Sequence, residues 1–457
     1  MHFNLFSPNL TTVLAMVFAA VFVYLIISPW LRRPLPPPTA KKKRPQPLPS
    51  LPIPWRWAIQ LLLAAILGAF FVEGLVIHEY TSEGLPNIFW MALPGTLAVA
   101  ALRWSWATRW YNRVLAGLLI VCGVLFGVLS VNNYYHYYPT LASALHSGQY
   151  ASSGGGNQTV VRYSASKTGQ QSSLEQSLQQ LDSSSTKGKV LSIDVPNTAS
   201  HFKARHGWLY VPAAAFSPEK SNLPVIVMLA GWPGGPNDWL NAGGASQTLD
   251  AFAAQHHGVA PIVAFIDNNG SQNNDTECVD SPRGNVETYL TTDVPTYLKA
   301  NFDVSSNPAN WAIGGLSDGG TCGIMLALRH PDVYHGFLDL GGDIGPASGN
   351  QLTTIKDLFN GLATAWQEHQ PLYLLQQHNT FKELHMFGYF AVGSSDTSRT
   401  MGAVQTLYHQ STAAGLTVAY ETTPGHHAFD VWKQQFQDAL PWLSYQLGAT
   451  ACVTQCQ

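Results

Sequence analysis

The sequence predicts an α/β fold over residues 190–450, with a mostly parallel central sheet, preceded by four transmembrane helices over residues 1–135. Three observations lead there. Beyond Lys189, short aliphatic and β-branched runs alternate with amphipathic segments, the pattern of strands covered on both faces by crossover helices. Ahead of that domain stand four apolar runs of roughly bilayer length. Between the two, residues 136–189 turn to Ser, Gln, Gly and Thr. Such a stretch buries too little apolar surface to offset its ordering entropy and reads as a flexible tether, with one helical turn at Leu174–Leu181.

The apolar runs are Leu10–Ile27, Trp55–Ile77, Ile88–Leu102 and Val114–Val131. A cleaved signal peptide is the rival reading of the first run. Its basic residues follow the apolar stretch instead of preceding it, and further runs come after. Arg32, Arg33, Lys41, Lys42, Lys43 and Arg44 lie between the first two runs, and Arg103, Arg109 and Arg113 between the last two. Glu79 and Glu83 occupy the middle connection. The positive-inside rule puts both basic loops in the cytoplasm and everything after Val131 outside. The expected location is therefore the cell membrane, multi-pass, with an extracytoplasmic carboxy-terminal domain. Trp55, Trp57, Trp90, Trp104, Trp106 and Trp110 gather at the run ends, as interfacial aromatics do. Glu73 is an intramembrane carboxylate, with a functional role, a place near the outer interface or a pairing between helices as its alternatives. The globular part has no Lys/Arg-rich patch, which argues against nucleic acid as a partner.

In the globular part the strand candidates are Val190–Val195, Gly207–Tyr210, Val225–Leu229, Ile262–Ile266, Trp311–Gly314, Phe337–Leu340, Met386–Val392 and Thr417–Glu421. Helices are expected over Val286–Asn301 and Gly319–His330.

Chemistry enters at Trp311-Ala-Ile-Gly-Gly-Leu-Ser317-Asp-Gly-Gly. An apolar strand runs into a Gly-x-Ser-x-Gly turn at Gly315–Gly319 and then into a helix-forming stretch. The turn must be tight to lift a serine Oγ above the sheet edge, so small residues flank it. The following helix amino terminus favours a developing oxyanion. Upstream, Val225–Leu229 ends in Ala-Gly-Trp232-Pro-Gly-Gly235, a glycine-rich loop suited to donate the second oxyanion N–H. Trp232 and Asp318 are the expected donors, through their backbone groups. After the last strand stand His426 and His427, either of which can supply the base. Asp396 directly follows the apolar strand before that and is the expected acid, with Asp343 as the rival carboxylate. The order Ser, Asp, His is that of an α/β-hydrolase.

Val286-Glu-Thr-Tyr-Leu-Thr-Thr-Asp-Val-Pro-Thr-Tyr-Leu298, the Ser317 turn and His427-Ala-Phe-Asp-Val-Trp432 together resemble the esterase D and mycobacterial mycolyltransferase superfamily, over about residues 190–448. The apolar runs and Asp275-Thr-Glu-Cys-Val-Asp280 look like those of actinobacterial membrane-anchored esterases. The resemblance implies His427 as the base, because the catalytic histidine of those proteins precedes a small or acidic residue and then an aromatic one. This chain departs from the mycolyltransferases at the acid, where they carry glutamate, and after the nucleophile, where they carry Met and it carries Asp318.

Cys278, in the loop after one strand, and Cys322, on the helix after Ser317, are expected to be close enough to bridge. Cys452 and Cys456 form a second possible pair, and Cys122 falls in the fourth apolar run. No histidine outside the pair at 426–427 has metal-ligand spacing with a second candidate, so neither a metal nor a cofactor is expected. The sequence thus implies an acyl-serine enzyme, hydrolysing an acyl or aminoacyl ester of a membrane lipid or passing the acyl group to a sugar or lipid acceptor. A non-catalytic scaffold is the third reading, opposed by the intact Ser, Asp and His set.

Overall fold

The computed structural model describes residues 110–145, 161–163, 187–216, 222–377 and 381–450. The chain divides into two compact units, Met1–Ala144 and Leu145–Gln457. The first three apolar runs, the Leu174–Leu181 turn and the Cys452/Cys456 pair lie outside the described residues. The fourth run falls within helix α1 (Trp110–Tyr135), whose end is tied by Asn132 Nδ2 to the Tyr138 carbonyl at 2.9 Å. Val114, Leu118, Val121, Leu125 and Val128 of α1 are exposed. Several other α1 side chains are not among those described, and no helix of the described residues is long and apolar enough to cross a membrane.

The second unit is organised by β1 (Val161–Tyr163), β2 (Lys189–Ile193), β3 (Gly207–Val211), β4 (Val225–Leu229), β5 (Ile262–Ile266), β6 (Asp280–Ser281), β7 (Gly284–Asn285), β8 (Trp311–Leu316), β9 (Gly336–Leu340), β10 (Phe387–Gly393) and β11 (Thr417–Thr423). Nine strands form one sheet in the order β1-β2-β3-β5-β4-β8-β9-β10-β11, and β6 and β7 make a small hairpin. The contacts of β3 with β2 and β5 are antiparallel, and the other neighbours in the large sheet run parallel. Every residue of β4, β5, β8 and β9 is buried, which is why these strands read as continuous apolar runs instead of alternating ones. Helices α2 (Ala245–Gln255), α3 (Val294–Asn301), α4 (Asp318–Arg329), α5 (Ser398–Ala413) and α6 (Phe429–Gln446) complete the layers. The sheet order reverses direction around β4 and β8, and in open α/β sheets ligands bind outside the carboxyl ends of strands at such a point.

Two expectations change. Val161–Tyr163, placed in the flexible tether, is an edge strand parallel to Leu191–Ile193. Its Val and Tyr favour extended backbone, a local signal lost in the polar average of residues 136–189. The helix expected over Val286–Asn301 is broken by a π-helical turn at Tyr289–Asp293. Pro295 lacks the N–H that would continue the α-ladder, and the wider turn absorbs that gap.

Candidate active site

Ser317 sits between β8 and α4 with φ 53° and ψ −123°, a left-handed-side conformation that costs a non-glycine residue energy and must be held by its surroundings. A hydrogen bond and the close passage of β4 hold it. Its N–H donates to the Leu340 carbonyl at 3.0 Å, fixing the turn to β9. A Cβ on Gly315 would lie 2.0 Å from the Leu229 carbonyl oxygen, and one on Gly319 would lie 2.7 Å from those of Leu229 and Ala230. The two glycines of the motif are therefore required by how closely β4 passes the turn.

His427 and Asp396 converge on Ser317 from two other loops. His427 Nε2 is 2.9 Å from Ser317 Oγ, and its Nδ1 is 3.0 Å from Asp396 Oδ2. Asp396 Oδ1 accepts from the Thr397 N–H at 2.7 Å. The His427 and Asp396 side chains are 9% and 2% exposed, so water competes little for these bonds. Trp432 on α6 meets the imidazole edge to face, with ring centroids 4.7 Å apart. The relay runs through His427 and not through its neighbour His426. Asp343, the rival acid, instead accepts from Arg399 Nη2 at 2.9 Å. Burial raises the Asp343 carboxyl above its ordinary range, with Arg399 and His427 opposing that rise.

Asp318 is the first residue of α4, where backbone N–H groups have no intrahelical acceptor. Trp232 follows Gly231, and a Cβ on Gly231 would come 3.1 Å from the Ser317 Cβ. The glycine loop therefore passes directly beside the serine. Asp238 Oδ2 accepts from the Gly235 N–H, and Arg205 Nη2 donates to the Gly234 carbonyl at 2.8 Å. The same guanidinium nitrogen reaches Asp267 Oδ1 at 2.6 Å, just past β5. Arg205 and Asp267 were not singled out by sequence; a carboxylate directly after a buried strand is the signal that could have found Asp267.

The opposite wall is acidic. Asp275 and Glu277, from the loop after β5, meet Asp318, the residue next to the nucleophile. Cys278 and Cys322 form a disulfide that joins this loop to α4. Burial pushes Glu277 and Asp318 well above the usual carboxylate range; the charge of Asp275 raises both further, while the amides of Asn269 and Asn268 oppose the rise at Asp318. Beneath the turn, burial lifts Asp339 up to about 7, and its Oδ1 accepts from the Gly342 N–H at 2.7 Å.

A mostly parallel sheet with a strained serine at its carboxyl edge, joined to a buried histidine and carboxylate, defines the class as α/β-hydrolase serine esterases or acyltransferases. Within that class the chain belongs to the putative esterase family, whose model matches residues 203–443. It is 31% identical over 405 residues to an uncharacterized protein of Corynebacterium glutamicum, covering 86% of this chain and 90% of that one. It is also 34% identical over 97 residues to the diacylglycerol acyltransferase/mycolyltransferase Ag85A of Mycobacterium gordonae, covering 19% of this chain and 28% of the relative. Among solved structures, a ferulic acid esterase aligns at 18% identity with a TM-score of 0.47, over 57% of this chain and 99% of that one. An S-formylglutathione hydrolase from Agrobacterium tumefaciens aligns at 16% identity with a TM-score of 0.47, over 58% and 98%.

Proposed function

We propose that the chain is a membrane-anchored serine esterase that cleaves an acyl or aminoacyl ester of an envelope lipid on the extracytoplasmic side. The observation that carries the catalytic part is the relay from Ser317 Oγ through His427 to Asp396, at 2.9 and 3.0 Å. His427 takes the hydroxyl proton as Oγ attacks the ester carbonyl, and Asp396 holds the Nδ1–H tautomer and steadies the imidazolium. The oxyanion is received by the backbone N–H groups of Asp318 and Trp232. His427 then returns the proton to the leaving alcohol, and an acyl-serine remains. Water completes hydrolysis by the same route in reverse.

The second reading is transfer, in which a sugar or lipid alcohol replaces water. It is favoured by the local likeness to a diacylglycerol acyltransferase/mycolyltransferase. Purified chain given a p-nitrophenyl ester with and without a lipid alcohol separates the two. Free acid as the product in both conditions supports the esterase, and diversion into a new ester supports the transferase. An absence of nitrophenol release from a folded protein contradicts both.

Anchoring rests on the four apolar runs and their loop charges, and it draws on the exposed Val114, Leu118, Val121, Leu125 and Val128 of α1. Lipid is a better solvent than water for such side chains. A Ser172→Cys variant should be labelled in intact cells by an impermeant thiol reagent, above the wild-type background. Protection until lysis contradicts the extracytoplasmic assignment.

A further inference from the structure

We infer that the loop after β5 and the start of α4 form a calcium-binding site, with Asp275, Glu277 and Asp318 as its carboxylate ligands and the Asn269 side chain as a further oxygen donor. The site lies outside the acyl-transfer relay and does not depend on the assignment of Ser317 as nucleophile.

The geometry is that of a single ion. One carboxylate oxygen from each of the three acids lies within 4.8 Å of the others. Oxygens bound to Ca²⁺ at about 2.3–2.6 Å stand at most about 5 Å apart across the ion. The donor set is all oxygen, which suits a hard cation and not zinc. The nearest compensating cation, Arg283, has Nη1 3.9 Å from Asp275 Oδ2 and shares its other nitrogen with Asp357 at 3.6 Å. Three acids against one shared, distant guanidinium leave the cluster short of positive charge. In an enclosed place that deficit is costly unless a cation or shared protons cover it.

A second observation comes from the amides beside the acids. Asn269 is fully buried, its amide lies against the Asp318 carboxylate and favours the charged form of that acid, and its Oδ1 makes no hydrogen bond. A buried amide oxygen with no donor calls for a missing partner. A half-turn about its terminal torsion presents either end, and the carbonyl is a calcium ligand. Asn268, also fully buried, donates from Nδ2 to Asp318 Oδ2 at 2.9 Å, fixing how that carboxylate faces the cluster.

The arrangement explains why this loop is drawn to the nucleophile's helix. The Cys278–Cys322 disulfide holds the backbone of the loop against α4, which forces three acids together. An ion between them would turn that repulsion into a second cross-link, at the helix end that carries Ser317.

The test uses the full-length chain in detergent, freed of metal with EDTA and titrated with CaCl₂ by calorimetry and by thermal melting at constant pH. One Ca²⁺ per chain should bind, and Tm should climb with its concentration because the ion binds the folded form. Glu277→Gln and Asp275→Asn should each weaken binding at least tenfold, while Asp280→Asn should leave it unchanged, since Asp280 bonds Thr288 instead of the cluster. Should the buried Glu277→Gln variant fail to give a cooperative melt, the more exposed Asp275→Asn decides alone. No saturable uptake by the wild type up to roughly 10 mM, beyond the weakest sites of this kind, overturns the proposal and leaves shared protons as the answer. Undiminished binding in the folded variants overturns it too. Fluorophosphonate labelling of Ser317 is read separately, so failure of one reading is not mistaken for failure of the other.

Discussion

Ser317 has two unlike sides. Toward β10 and β11 it meets His427 and Asp396, each in a short chain of satisfied hydrogen bonds ending at the Thr397 N–H. Toward β5 it meets Asp275, Glu277 and Asp318, crowded acids beside two fully buried asparagines, of which Asn269 leaves its Oδ1 unsatisfied. The first side is built so that one proton can move along one line. The second concentrates acidic groups, and the Cys278–Cys322 bridge ties their loop to α4. The contrast teaches that a functional site can be fully hydrogen-bonded on its reactive side and electrostatically loaded on its supporting side.

The largest effect expected from breaking this comparison is on the relay side. Asp396→Asn keeps the shape but presents the wrong tautomer to His427, and turnover of a p-nitrophenyl ester should fall roughly 10⁴-fold. Asp343→Asn should cost far less, because Asp343 bonds Arg399 and not the imidazole. Steady-state kinetics of the two variants check this, and the reverse ranking would move the acid to Asp343.

Next in size is the bridge on the loaded side. It spans 44 residues, and the chain-entropy model gives such a loop about 4 kcal/mol. The double variant Cys278→Ala, Cys322→Ala should lose stability of that order in denaturant melts. Non-reducing peptide mapping of the wild type should recover the two cysteines linked.

The smallest effect sharpens the comparison beneath the turn. Asp339 is wholly buried and its carboxyl is raised to about 7. The proton held by the folded form contributes stability that is fully present below the unfolded value of about 4. That contribution declines above it and is gone once pH has risen through about 7, at most about 1.4 kcal/mol for each pH unit. Asp339→Asn should therefore flatten the pH dependence of Tm between pH 5 and 7. An unchanged slope would place the titrating group elsewhere.

How far the molecule could be read from its sequence divides along the same line. The strands at Val225–Leu229, Ile262–Ile266 and Trp311–Gly314 were legible because a doubly covered parallel strand must be apolar at every position. The sites of Ser317, Asp396 and His427 were legible because this fold sets their order along the chain, and each directly follows a recognisable strand or turn. Choosing His427 over its neighbour needed the family resemblance, since adjacent histidines have the same spacing to everything else. The bridge between Cys278 and Cys322 followed from neighbouring strand ends. The acidic wall was not legible. Asp275 and Glu277 read as ordinary polar loop residues, and only the packing of that loop onto α4 brings them to Asp318. The expectation of no metal rests on histidine spacing, a rule that does not test carboxylates brought together from some forty positions apart. Edge strand Val161–Tyr163 was missed because three residues weigh little in a polar window.

The central claim is that Ser317 is acylated with His427 as its base, and a fluorophosphonate probe tests it most directly. The wild-type chain should label at one site, identified by peptide mapping as Ser317, and Ser317→Ala should not label. His427→Ala should label very slowly, because an unassisted hydroxyl is a poor nucleophile, whereas His426→Ala should remain reactive. Undiminished labelling of Ser317→Ala would contradict the account and place the nucleophile elsewhere in the chain.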